Sequence, residues 1–190
     1  MANRVVITLA DVCGAGGGLR AEMRAVPAET QEAAPAAAGF PSGPFLLKTQ
    51  FRGDGECLEG NGPDSPVHGG AAFMNTCAPY SGQVWSATPA GDGYFVLANQ
   101  NHGGARALES NQSESPAHGG GAFMDTAQNV TGQQWRAVPA GNGLFKLQSR
   151  WRGDGECLEG NESAGQAHGG AAFMNACANV SGQLWQFVPR

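Results

Sequence analysis

Three sets of polar side chains recur along the 190-residue chain: Glu59, Asn61, His68 and Asn75; Glu109, Asn111, His118 and Asp125; Glu159, Asn161, His168 and Asn175. Fifty residues separate each set from the next. An ionised carboxylate only accepts hydrogen bonds, an amide donates and accepts, and a neutral imidazole does one of each. Such a set suits the adjacent hydroxyls of a sugar, each of which both donates and accepts, with the carboxylate making the stronger, charge-assisted bonds. The same residues have a plainer use. Glu59 and Asn61 can cap the turn that follows them, and the three histidines can be ordinary turn residues. A metal site built from the histidines is disfavoured, because copies on separate peripheral hairpins need not converge.

The five cysteines carry a second chemistry. Cys57 and Cys77 hold the same places in the first set as Cys157 and Cys177 in the third, and both places are alanine in the second, Ala107 and Ala127. Joint loss is what a bonded pair predicts, so the expected bridges are Cys57–Cys77 and Cys157–Cys177. No two cysteines have the close spacing of a structural zinc site. Each bridge closes a loop of about twenty residues, worth roughly 3 kcal/mol in the chain-entropy model. Disulfides favour an oxidising compartment, so a secreted or extracellular protein is expected. If Cys57 faces Cys77 across an antiparallel pair, Glu59 falls opposite Asn75 and Asn61 opposite Phe73, with Leu58 and Met74 pointing to the core.

The elements that must position these groups also repeat, without insertion or deletion. Each unit has four short apolar stretches. In the first unit they are Phe45-Leu46-Leu47, Cys57-Leu58, Ala72-Phe73-Met74 and the segment around Trp85. All are too short for helices and are bounded by glycine-rich turns, which reads as strands. The fourth stretch follows Ser81-Gly82-Gln83, Thr131-Gly132-Gln133 or Ser181-Gly182-Gln183 and leads with Trp85, Trp135 or Trp185. A fixed period means one supersecondary unit used three times. Twelve antiparallel strands in three four-stranded units predict an all-β protein, a β-trefoil with pseudo-threefold symmetry; a three-bladed propeller falls below the usual blade number. The repeats occupy residues 45–190. Residues 1–44 read as a flexible or processed N-terminal segment. Its run Val5–Ala10 is too short for a convincing signal peptide, Cys13 is left over, and 25–44 has the Ala/Pro/Glu composition of a linker.

The three Gln-x-Trp copies, the upstream Cys-Leu-Glu and the strand ending in cysteine resemble the ricin-type B-chain lectin domain over residues 45–190. The resemblance implies a β-trefoil whose units can each carry a shallow sugar site. In that family an aspartate two residues after the first cysteine holds the sugar, and an aromatic two residues before the second stacks on it. Those positions are Glu59 and Asn75 here. Glutamate reaches one methylene further, and Asn75, Asp125 and Asn175 cannot stack. Where the family tends to place asparagine before the glutamine, Gly82, Gly132 and Gly182 stand.

Other signals are weaker. Arg52-Gly53-Asp54 and Arg152-Gly153-Asp154 spell an adhesion tripeptide that a glycine turn also produces, and four Asn-x-Ser/Thr sequons occur, at Asn111, Asn129, Asn161 and Asn179. A net charge of −5 with no basic run argues against nucleic acid. No apolar stretch approaches the length of a membrane span, so no membrane insertion is expected. No catalytic constellation stands out. The expected function is non-catalytic carbohydrate binding through up to three hairpin sites, with glycans as partners and no metal or cofactor. The alternative is a protein-binding or structural trefoil.

Overall fold

Glycine-rich turns break the apolar segments at four- to eight-residue lengths, and those segments form twelve strands. The computed structural model describes residues 39–162 and 164–190. The Val5–Ala10 run and Cys13 lie outside the described residues. In chain order the strands are β1 (Phe45–Thr49), β2 (Glu56–Glu59), β3 (Phe73–Thr76), β4 (Trp85–Gly91), β5 (Tyr94–Asn99), β6 (Arg106–Glu109), β7 (Phe123–Thr126), β8 (Gln134–Gly141), β9 (Leu144–Ser149), β10 (Glu156–Glu159), β11 (Phe173–Ala176) and β12 (Trp185–Pro189).

Each repeat gives its first and fourth strands to a closed six-stranded barrel, in the order β1-β12-β9-β8-β5-β4. Its second and third strands pair with each other as the hairpins β2–β3, β6–β7 and β10–β11. The protein is a β-trefoil. The tryptophans tie the two layers together. Trp85, Trp135 and Trp185 are fully buried, and each indole N–H donates to a hairpin carbonyl, that of Leu58, Leu108 or Leu158, at 2.7–2.9 Å. An indole buried in a core needs such a partner. Leu58, Met74 and their copies complete the core beneath the hairpins.

The barrel interior departs from threefold symmetry. One repeating position reads Ala87, Ala137 and Phe187. Phe187 stacks on Phe145 at 4.7 Å and meets Phe40 at 5.0 Å. Phe40, only 8 % exposed, also packs against Phe45 and Phe95. The packed core therefore reaches back before residue 45, into a stretch the sequence assigned to the N-terminal segment. A single apolar anchor inside an Ala/Pro-rich run carries no periodicity by which to recognise it.

The three hairpins meet on the pseudo-threefold axis. There the amide of Ala72 donates to Ala122 O, that of Ala122 to Ala172 O, and that of Ala172 to Ala72 O, at 2.7–2.8 Å. This ring of hydrogen bonds closes the cap. Immediately before it stand Ala71, Gly121 and Ala171. A methyl group on Gly121 would lie 2.6 Å from Cβ of Ala171 and 2.8 Å from Cβ of Ala71. The axis holds two side chains there and not a third.

Candidate functional site

Both disulfides are formed, Cys57–Cys77 and Cys157–Cys177. The hairpin register differs from the expected one by two residues. Cys57 pairs with Asn75 and Glu59 with Phe73, while the Cys77 amide bonds Gly55 O at 2.9 Å. The bridge thus runs diagonally, with its Cα atoms 5.0 Å apart. Strong twist in a two-stranded ribbon brings diagonal neighbours on one face together. A two-residue shift keeps every side chain on its face. Glu59 and Asn75 therefore still meet, as diagonal rather than direct neighbours.

Glu59 is half-buried, and its Oε2 accepts from Asn75 Nδ2 at 2.9 Å and Gln83 Nε2 at 3.0 Å. Gln83 is fully buried. Its second amide hydrogen goes to Thr76 O at 2.9 Å, and its oxygen accepts from Ala78 N at 2.9 Å. The glutamine of the repeating signature therefore fixes the carboxylate as well as the backbone. In the third repeat Glu159 Oε2 accepts from Asn175 and Gln183, both at 3.0 Å. In the second, Glu109 Oε2 accepts from Gln133 at 2.9 Å, but Asp125 has no hydrogen to give and keeps only the bond from the following backbone amide, Thr126, that Asn75 and Asn175 also accept from theirs. Among the described residues no hydrogen bond reaches Oε1 of any of the three glutamates. Each repeat thus presents one fixed carboxylate with a free acceptor oxygen.

The extra methylene of glutamate and the missing side chain of the signature glycine belong together. A Cβ on Gly82, Gly132 or Gly182 would stand 3.1–3.2 Å from Cγ of Glu59, Glu109 or Glu159. That approach is tighter than ordinary packing allows. Sequence reading treats the two departures separately, since residues more than twenty positions apart show their contact only when folded.

The other predicted site residues take other roles. Asn61, Asn111 and Asn161 each donate to the carbonyl six residues on, Val67, Ala117 or Ala167, at 2.8 Å, and each accepts from the next backbone amide. They staple the loop between the hairpin strands. His68, His118 and His168 converge around the axis, an arrangement that copies on separate hairpins did not require. Their Nδ1 atoms lie 2.6–3.0 Å from the carbonyls of Gly169, Gly69 and Gly119, each in a neighbouring repeat. A carbonyl only accepts, so Nδ1 carries the proton. Each imidazole also packs on Phe73, Phe123 or Phe173 with centroids 4.1–4.3 Å apart. These two contacts hold the histidines at φ of 49–52°, in the left-handed region, a conformation that costs a side-chain-bearing residue about 1 kcal/mol or more. Among the described residues no group of His, Cys, Asp or Glu is arranged to hold a metal ion.

Two arginines border the hairpins. Arg52 and Arg152 each grip Glu56 or Glu156 through two nitrogens, with Nε at 2.7 Å. These hydrogen bonds raise the guanidinium pKa above its ordinary value against the opposing effect of burial.

No family model matches the sequence, and a search of curated proteins gave no match. Solved structures do resemble the fold. A designed 3-fold symmetric protein, ThreeFoil, aligns over 77 % of this chain and 99 % of its own, with TM-score 0.59 and 22 % identity. The BEL β-trefoil aligns over 79 % and 96 %, with TM-score 0.58 and 16 % identity. SeviL, solved bound to asialo-GM1 saccharide, aligns over 78 % and 98 %, with TM-score 0.55 and 17 % identity. The chain also matches a longer protein, a GlcNAcα1-4Gal releasing endo-β-galactosidase from Clostridium perfringens, of which it spans 33 %. At these identities the likeness is one of fold.

Proposed function

We propose that this protein is a carbohydrate-binding module of the ricin-type Gln-x-Trp kind, non-catalytic and exported to an oxidising compartment. The observation that carries the reading is the threefold repetition of a half-buried carboxylate whose Oε2 is pinned by a buried glutamine while Oε1 is left free. A fixed charged acceptor binds a hydroxyl without first losing side-chain freedom. A trefoil neighbour solved with a saccharide supports the same reading. Three related sites suit clustered glycans, where linked weak contacts gain avidity. The two disulfides support the compartment.

The test is a glycan array probed with the wild type and with the triple variant Glu59→Gln, Glu109→Gln, Glu159→Gln. Glutamine can keep its oxygen toward Gln83, Gln133 or Gln183 and present an amide where Oε1 stood. The fold is expected to persist while glycan binding falls at least about tenfold, the loss of one charge-assisted bond. Wild-type protein that binds no glycan, or a triple variant that binds as well, overturns the reading.

A further inference from the structure

Among the described residues the exposed large apolar side chains are Phe51, Val67, Tyr80, Val130, Trp151 and Val180. All but Val67 stand beside the three Ser/Thr-Gly-Gln turns. Tyr80, Val130 and Val180 directly precede the turns. Trp151 and Phe51 arrive from the loop after the first strand of the following repeat. The Trp151 amide donates to Thr131 O at 3.2 Å, and the Phe51 amide donates to Ser181 O at 3.1 Å. At the first turn the equivalent residue is Asn101, whose Oδ1 accepts from the Ser81 hydroxyl at 3.3 Å. Each of these turns lies against a glutamate through its glycine, as described above.

Each turn is flanked by one exposed aromatic ring. Where the turn's own preceding residue is tyrosine, the neighbouring repeat supplies asparagine. Where it is valine, the neighbouring repeat supplies tryptophan or phenylalanine. The two rings from neighbouring repeats are held in place. Arg152 Cζ sits 5.1 Å from the Trp151 ring centroid and Arg52 Cζ 5.2 Å from that of Phe51, and each guanidinium is itself gripped by Glu156 or Glu56. With one side engaged by a cation, Trp151 is still 46 % exposed and Phe51 47 %. A cation–π contact at such a site favours one ring orientation.

We propose that the sugar sites are completed by these rings, Tyr80 beside Glu59, Trp151 beside Glu109 and Phe51 beside Glu159, the latter two across a repeat boundary. The ligand is a pyranose with a C–H face to lay on the ring and adjacent hydroxyls at its edge to meet Oε1. The negative face of an aromatic ring attracts the polarised C–H bonds of a sugar. The inference rests on the carbohydrate-binding reading. It supplies the stacking group that Asn75, Asp125 and Asn175 cannot provide.

Trp151 makes the test direct, because the other three tryptophans are fully buried. Full-length protein is titrated with asialo-GM1 saccharide and with the methyl glycosides of galactose, N-acetylglucosamine and mannose. Acrylamide quenching of tryptophan fluorescence and the indole N–H signals in NMR are followed. A bound sugar is expected to shield Trp151 and shift its indole signal. Trp151→Ala is expected to lower affinity at that site about tenfold, and Trp151→Phe to retain most of it. Tyr80→Ala is expected to weaken the first site, and Asn101→Trp in the same chain to restore it. Sugar binding that depends on Glu109 but leaves Trp151 unshielded and survives Trp151→Ala overturns this inference and spares the proposed function. Failure of every glycan overturns both. Shielding of Trp151 by a protein ligand, with no sugar effect, assigns the rings to a protein surface and overturns the proposal.

Discussion

In the second repeat Ala107 and Ala127 stand where the first and third carry bridged cysteines, Asp125 stands for asparagine, and Gly121 for alanine. The β6–β7 ladder nevertheless keeps the register of β2–β3 and β10–β11. Leu108, Met124 and Trp135 are as fully buried as their copies. The hairpin geometry is therefore set by the core and the tryptophan hydrogen bond, and the bridges stabilise it without creating it. Gly121 is different in kind. It marks a position where three identical copies cannot coexist, because their side chains would meet on the axis.

That contrast can be broken deliberately. The largest effect is expected from Cys57→Ala with Cys77→Ala, which makes the first repeat resemble the second. Loss of about 3 kcal/mol is expected, read as a fall in the chemical-denaturation midpoint, with a steeper slope as the freed unfolded chain exposes more surface. The reverse change, Ala107→Cys with Ala127→Cys, is expected to add a third bridge and raise the midpoint. Gly121→Ala forces a third methyl onto the axis and is expected to cost about 2 kcal/mol. Adding Ala71→Gly in the same chain should recover most of the loss, which a thermal melt would show; no recovery would mean the axis is not what limits that position.

Gly82→Asn is expected to cost about 1 kcal/mol by crowding Glu59. Glu59→Asp in the same chain should relieve it, and a double-mutant cycle would measure the coupling. The smallest effect belongs to Asp125→Asn. It gives the second repeat the amide donor the others have and should stabilise by about 1 kcal/mol, roughly 3 °C in melting temperature for a domain of this size. A variant that melts lower would show that Asp125 has a use its neighbours lack.

The fold was legible because four apolar stretches at a fixed period leave few architectures. The bridges were legible because Ala107 and Ala127 are lost together. The register was not, because a disulfide joining Cys57 to Cys77 does not say whether it crosses the ladder directly or diagonally. The cross-repeat contacts of the histidines were not legible either, because a single repeat gives no hint that His68 reaches Gly169, 101 residues away. Trp151 and Phe51 went unremarked for a related reason. Reading repeat by repeat finds what lies within a unit, whereas these rings border the turn of the preceding one. Asn99, whose amide bonds the carbonyls of Gly60 and Gly82, follows the same pattern.

Strands β4 and β5 pair Pro89 with Phe95, and β8 and β9 pair Pro139 with Phe145, each across a hairpin. Strands β12 and β1 pair Pro189 with Phe45 in the same way, with the Arg190 amide bonded to Pro44 O at 2.9 Å. The third junction thus reproduces, without a peptide link, what the first two make covalently. Topologically the repeats form a ring with one cut. A linker joining the two sides of that cut should allow the ring to be opened instead at the tip around Asp92 or Asn142, giving circularly permuted chains with the same barrel and the same three rims.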